Sequence, residues 1–80
     1  MKYMVIETFI PGKKDQVYER FNSTGRLIPE GLNYIDSWLE QDGNRFFQLM
    51  ETDTPSLFES WIEKWVDLVV FEIIPLKTEK

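Results

Sequence analysis

Eighty residues carry 14 acidic and 9 basic side chains, a net charge of −5, and neither cysteine nor histidine. That length allows one domain, residues 1–80, near the lower end of what folds alone, and without cysteine there are no disulfide staples or thiolate metal sites. Without histidine the commonest general base, zinc ligand and proximal haem ligand are missing, and the acidic balance weighs against nucleic acid and anionic membrane as partners.

Lys2 to Ile10 reads as a first strand, because Tyr3, Val5 and Phe9 alternate with Met4, Ile6 and Ile10. Pro11-Gly12 ends it. A helix is expected from about Lys14 to Asn22, with Val17, Tyr18 and Phe21 along one side and Glu19 and Arg20 on the other. Ser23-Thr24-Gly25 is its stop signal, and Arg26 to Gly31 follows as a loop marked by Pro29 and Gly31. Leu32 to Glu40 is the second strand, expected to set Tyr34 and Trp38 on one side and Ile35 and Leu39 on the other. Asp42-Gly43 predicts a type I′ hairpin, with positive φ at both positions, leading into an antiparallel third strand from Arg45 to Thr52.

Thr54 is placed to cap a second helix, with Pro55 in its first turn. Phe58, Trp61, Ile62, Trp65 and Val66 then fill the i, i+3, i+4, i+7, i+8 positions of one apolar stripe. The last strand runs from about Val69 to Leu76, and the polar tail Lys77 to Lys80 is expected to fray. The order β-α-β-β-α-β predicts an α+β, ferredoxin-like fold: a four-stranded antiparallel sheet in the order 4-1-3-2 with both helices on one face.

Two helices cover one face of such a sheet, yet the first and last strands are apolar on both sides. The residues Tyr3, Val5, Phe9, Phe47, Leu49, Phe71 and Ile73 are grouped here as one such face. Burying one large apolar side chain contributes about 1.5–3 kcal/mol, so exposing five would forgo on the order of 10 kcal/mol, close to a whole domain's stability. A homodimer through the sheet face is therefore expected. Strand-like alternation at the start argues against a leader, and Trp65 to Leu76, broken by Asp67 and Glu72, is too short to span a bilayer. A cytoplasmic protein is expected.

Three groups of residues can carry chemistry. Arg20, Arg26 and Glu30 surround the Gly25–Gly31 loop, where a guanidinium fork could meet a carboxylate or phosphate, or else cap carbonyls. Glu7, Asp36, Gln48, Glu51 and Glu72 lie mid-strand, and a carboxyl there in an apolar cavity would be a proton acceptor. Their plainer roles are pairing with Arg45, Arg26 or Lys2, or guarding a sheet edge, the natural task of Glu72. Among the aromatics, Trp61 and Trp65 read as core, while Tyr34 and Trp38, flanking Asp36, read as pocket walls. The candidate ligand-binding residues are Glu7, Arg26, Tyr34, Trp38, Gln48 and Glu51; no metal site and no cofactor is expected. The chain has no phosphate-binding glycine loop, no G-x-S-x-G elbow, no H-E-x-x-H and no RNA-recognition signature.

Six segments carry a family resemblance: Met1-Lys2-Tyr3-Met4-Val5, Val17-Tyr18-Glu19-Arg20-Phe21, Gly25-Arg26-Leu27-Ile28-Pro29-Glu30-Gly31-Leu32, Ser37-Trp38-Leu39, Phe47-Gln48-Leu49-Met50-Glu51 and Trp61-Ile62-Glu63-Lys64-Trp65. Together they resemble the DUF3303 domain family of uncharacterised bacterial proteins along nearly the whole chain. The resemblance implies a dimeric α/β barrel, two ferredoxin-like sheets face to face, and no known catalytic residues. The wider barrel group includes cofactor-free monooxygenases, muconolactone isomerase-like enzymes, haem peroxidase relatives and simple ligand binders, so fold analogy does not choose among them.

Three functions remain open: a homodimer binding a small organic ligand in an aromatic-lined pocket, a cofactor-independent monooxygenase or isomerase, and an interaction module without a ligand. A cavity of a few hundred Å3, on the scale of ligand pockets, with an inward carboxylate or Gln48 favours the enzyme. The same cavity without such groups favours a binder, and a solid core leaves the interaction module.

Overall fold

Six elements follow in the expected order: β1 (Lys2–Phe9), α1 (Lys14–Thr24), β2 (Asn33–Leu39), β3 (Arg45–Glu51), α2 (Leu57–Ile62) and β4 (Val69–Pro75). They come from a computed structural model that describes residues 1–77; the expected polar tail beyond Lys77 lies outside the described residues. The strands form one antiparallel sheet in the order β2-β3-β1-β4, and the chain has the ferredoxin-like α+β fold. Among the described residues no helix is long and apolar enough to cross a membrane.

Register decides which side chains meet. Val5 stands opposite Gln48 on β3 and Ile73 on β4; Glu7 stands opposite Phe46 and Phe71. Odd residues of β1 and β4 therefore share a face with even residues of β3. This face meets the helices: Tyr3, Val5, Met50 and Val69 pack with Val17 of α1, with Phe58 and Trp61 of α2, and with Trp65 and Leu68 just beyond it. Tyr3 and Phe58 meet edge to face with ring centres 5.0 Å apart, as do Trp61 and Phe71 at 5.5 Å.

Grouping Phe47 and Leu49 with Tyr3 and Val5 is corrected by that register. They lie on the opposite face, in two rows across the strands: Trp38, Phe47, Ile6, Glu72, and then Asp36, Leu49, Met4, Ile74. The molecule measures 38 × 26 × 17 Å, and its shortest dimension accommodates one sheet and one layer of helices. On this outer face Trp38 is 49 % exposed and Val70 60 %.

Four local expectations change. The pairing of β2 with β3 slips between Tyr34 and Asp36, so Tyr34 faces Met50 on the helix side while Trp38 faces Phe47 on the outer side. Tyr34 and Trp38 therefore do not share a face. The hairpin forms, but Gly43 (φ 78°) is its one positive-φ residue; Asp42 instead accepts the Asn44 N–H at 3.0 Å, and the turn is not type I′. Thr54 makes no side-chain cap. Thr52 ties that segment, accepting the Thr54 N–H at 3.0 Å and donating to the Gly31 carbonyl at 2.7 Å.

The apolar stripe of the second helix also shifts. After Ile62 the backbone tightens into i→i+3 bonds, Lys64 to Trp61, Trp65 to Ile62 and Leu68 to Trp65. Val66 is consequently 58 % exposed and Leu68 only 2 %. The first helix runs to Thr24, two residues past the expected Asn22, and stops at the last residue of the expected signal, Gly25, whose φ of 71° suits glycine and whose N–H reaches the Phe21 carbonyl at 2.7 Å.

Candidate functional site

Between α1 and the helix side of the sheet lies a cavity of about 220 Å3. Its floor is Glu7, Phe9 and Phe46 of the sheet, its sides are Val17 of α1 with Trp61 and Trp65, and its mouth is Tyr18, Phe21 and Asn22. Tyr18 and Phe21 are 39 % and 38 % exposed, so they reach solvent while lining the space.

One polar chain joins two residues that line this apolar space. Arg26, which also lines it, donates from Nε to Oε1 of Gln48 at 3.1 Å. Gln48 in turn donates from Nε2 to Oε2 of Glu7. Both Glu7 and Gln48 are buried, at 7 % and 4 % exposed. Burial pushes the Glu7 carboxyl from its ordinary 4.5 up to about 7; the Gln48 hydrogen bond and the Arg26 charge pull the other way without cancelling it.

The Arg26 guanidinium is held by rings. Its central carbon lies 3.9 Å from the Tyr34 ring centre and 5.1 Å from that of Phe21. The Arg26 carbonyl accepts both indole N–H groups, from Trp61 and from Trp65, each at 3.0 Å. This anchoring matters because the next residue, Leu27, has φ of 61°, a left-handed conformation costly for a branched side chain. Two converging indoles hold the strained loop where Arg26 meets the cavity.

Four of the six expected ligand residues thus come together: Glu7, Arg26, Tyr34 and Gln48. Two do not. Trp38 is on the outer face, and Glu51, exposed there opposite Lys2, meets neither the cavity nor Glu7. Arg20 takes the plainer of its two roles, donating to both Asp67 carboxylate oxygens and to the Lys64 carbonyl at 2.8 Å each. Glu72 is exposed on β4, an edge strand, as expected of an edge-guarding charge.

Trp61 and Trp65 are core, as expected, and are cavity walls and loop anchors as well. The mouth residues Tyr18 and Phe21 were legible only as the apolar side of α1. Their signal was size: two large rings one turn apart, facing a loop that carries an arginine. Among the described residues no three metal-ligating side chains gather, so the site's donors are the carboxyl, amide and guanidinium above.

No curated protein and no solved structure matches the chain. A family sequence profile matches over residues 1–79, nearly the whole length, and the chain belongs to that family, described as a domain of unknown function (DUF3303).

Proposed function

We propose that this protein binds a small, largely apolar organic molecule carrying one polar oxygen, in the cavity lined by Glu7 and Arg26, which Gln48 bridges. One observation carries the reading: a carboxyl and a guanidinium, bridged by one amide, project into an aromatic-walled space of about 220 Å3. A space of that size suits one or two fused rings. Titration with 2-naphthol, followed by tryptophan fluorescence, tests it, since Trp61 and Trp65 form the wall. Saturable quenching is expected; its absence overturns the reading.

The same proposal makes the protein a cytoplasmic homodimer through the outer sheet face. Trp38, Phe47, Ile6, Leu49, Met4 and Ile74 form an apolar block there. Around it stand Arg45 and Lys2 with Asp36, Glu51 and Glu72, so the rim carries both signs and a second copy of the same face can answer it. A cysteine-free chain fits a reducing compartment. Native mass spectrometry at micromolar concentration should give twice 9.6 kDa and would report any retained ligand at the same time.

A further inference from the structure

We propose that Glu7 is the proton acceptor of a cofactor-independent enolisation, acting on an aromatic or alicyclic ketone seated in the cavity, with Arg26 hydrogen-bonding the ketone oxygen. The inference rests on the binding reading above and adds the chemistry and the substrate class.

The two ends of the polar chain are each half used. Gln48 occupies Oε2 of Glu7, and among the described residues no protein donor reaches Oε1. Among the described residues every fully buried side-chain nitrogen or oxygen has a partner, so Oε1 is not sealed in protein; it opens on the cavity that Glu7 lines. Arg26 spends Nε on Gln48, and its terminal nitrogens donate to no protein group among the described residues. Tyr34 and Phe21 occupy the neighbourhood of its ring-facing surfaces, which leaves the edge of the fork for a ligand oxygen. The cavity thus offers one free acceptor and one cationic donor edge, linked at a set separation through Gln48.

That is the arrangement proton removal beside a carbonyl requires. The C–H bond breaks and its proton bonds to Oε1 of Glu7. The electron pair moves into the new C=C bond, and the carbonyl oxygen takes the negative charge beside Arg26. Swapping of the Glu7 proton with solvent before return to the same carbon gives isotope exchange; in a β,γ-unsaturated ketone, return two carbons further along the dienolate shifts the double bond into conjugation. Either way Glu7 is regenerated and no oxidant, reductant or co-reactant enters. Apolar walls desolvate the carboxylate while the open mouth admits the solvent with which its proton exchanges, and the burial that lifts Glu7 to about 7 gives it the basicity this step needs near neutral pH. The other titratable side chains lining the cavity are Arg26 and the Tyr18 phenol. Gln48 of β3, Phe71 of β4 and the two tryptophans face Glu7 with no ionisable group.

The test follows deuterium uptake at the benzylic α-carbon of 2-tetralone in D2O by proton NMR, beside 2-naphthol binding to the same samples. Wild-type protein should accelerate exchange by about 10²-fold or more over buffer, with the rate rising as pH passes through about 7. Glu7→Gln should lose that acceleration at saturating 2-tetralone, where a change in affinity no longer affects the rate. Wild-type binding of 2-naphthol without acceleration overturns the enolisation and leaves the binding reading standing; neither binding nor acceleration in wild type overturns both. Acceleration undiminished in Glu7→Gln assigns another base and also overturns it. Should Glu7→Gln not fold, the wild-type profile decides: a rate independent of pH between 5 and 9 overturns the proposal.

Discussion

Glu7 and Gln48 are diagonal neighbours: Gln48 stands opposite Val5 on the adjoining strand and reaches two residue pairs along, to the next pair on the same face, to donate to the Glu7 carboxyl. The pairing orients Glu7 without neutralising it, so desolvation still dominates and the carboxyl titrates near 7. Its folded value lies above its unfolded one, so the native state holds the extra proton between about 4.5 and 7. Stability must fall as pH rises through that window and level off above it. Glu7→Gln removes the loss. Denaturant melts should show the variant more stable than wild type at pH 8, by up to about 3 kcal/mol at ~1.4 kcal/mol per tenfold change in proton affinity. At pH 4 the two should be close. A wild-type stability that climbs from pH 5 to pH 8 would contradict this origin of the shift.

Trp61 and Trp65 share one acceptor, the Arg26 carbonyl, and sharing has an energetic signature. Replacing either indole with phenylalanine removes one N–H but leaves the carbonyl a partner. Beyond its packing loss, each single change should cost about 1 kcal/mol for the hydrogen bond. The double change strands a half-buried carbonyl beside the left-handed Leu27, so its cost should exceed the sum of the singles by about 1 kcal/mol. A double-mutant cycle in urea measures this coupling. Additivity would mean that the two indoles do not act on the same loop.

Element order and strand ends were readable because alternation, turn residues and helix stops agreed: every strand end lies within one residue of its expected place. Facing was not readable. When both parities of a strand are apolar, alternation says nothing about which set meets the helices, and the offset between β1 and β3 is a property of the pairing alone. The same gap kept Glu7 and Glu51 equivalent on paper. Both occupy odd strand positions, yet the register turns one into the cavity and leaves the other exposed beside Lys2. The slip after Tyr34 and the strained Leu27 arise from tertiary contacts and leave no mark on composition or spacing. Arg26 was the exception, since an arginine in a glycine- and proline-bounded loop is conspicuous before any fold is known.

Val66 and Leu68 separate helical periodicity from the backbone that forms. Ideal spacing buries Val66, but the tightened turns after Ile62 bury Leu68 in its stead. Val66→Ala should change stability by less than about 0.5 kcal/mol, whereas Leu68→Ala should cost about 2–5 kcal/mol. Urea midpoints of the two variants, compared at equal slope, check the ranking. Equal losses would restore the regular helix.

Trp38 tests the assembly without touching the cavity. It is half exposed on the outer face, in the row with Phe47 and Ile6, and the slip after Tyr34 separates it from every residue of the Glu7 site. Trp38→Lys therefore leaves the protomer's core intact and places a charge in the middle of the proposed contact, where no carboxylate stands directly opposite it in the same sheet. Sedimentation at micromolar concentration should show wild type as a dimer and the variant at 9.6 kDa, with unchanged far-ultraviolet circular dichroism. Quenching by 2-naphthol should persist in the variant, because the ligand cavity lies on the other side of the sheet. If wild type itself sediments at 9.6 kDa, the outer face is solvated and the paired-sheet assembly fails, while the Glu7 cavity, built within one protomer, keeps its chemistry.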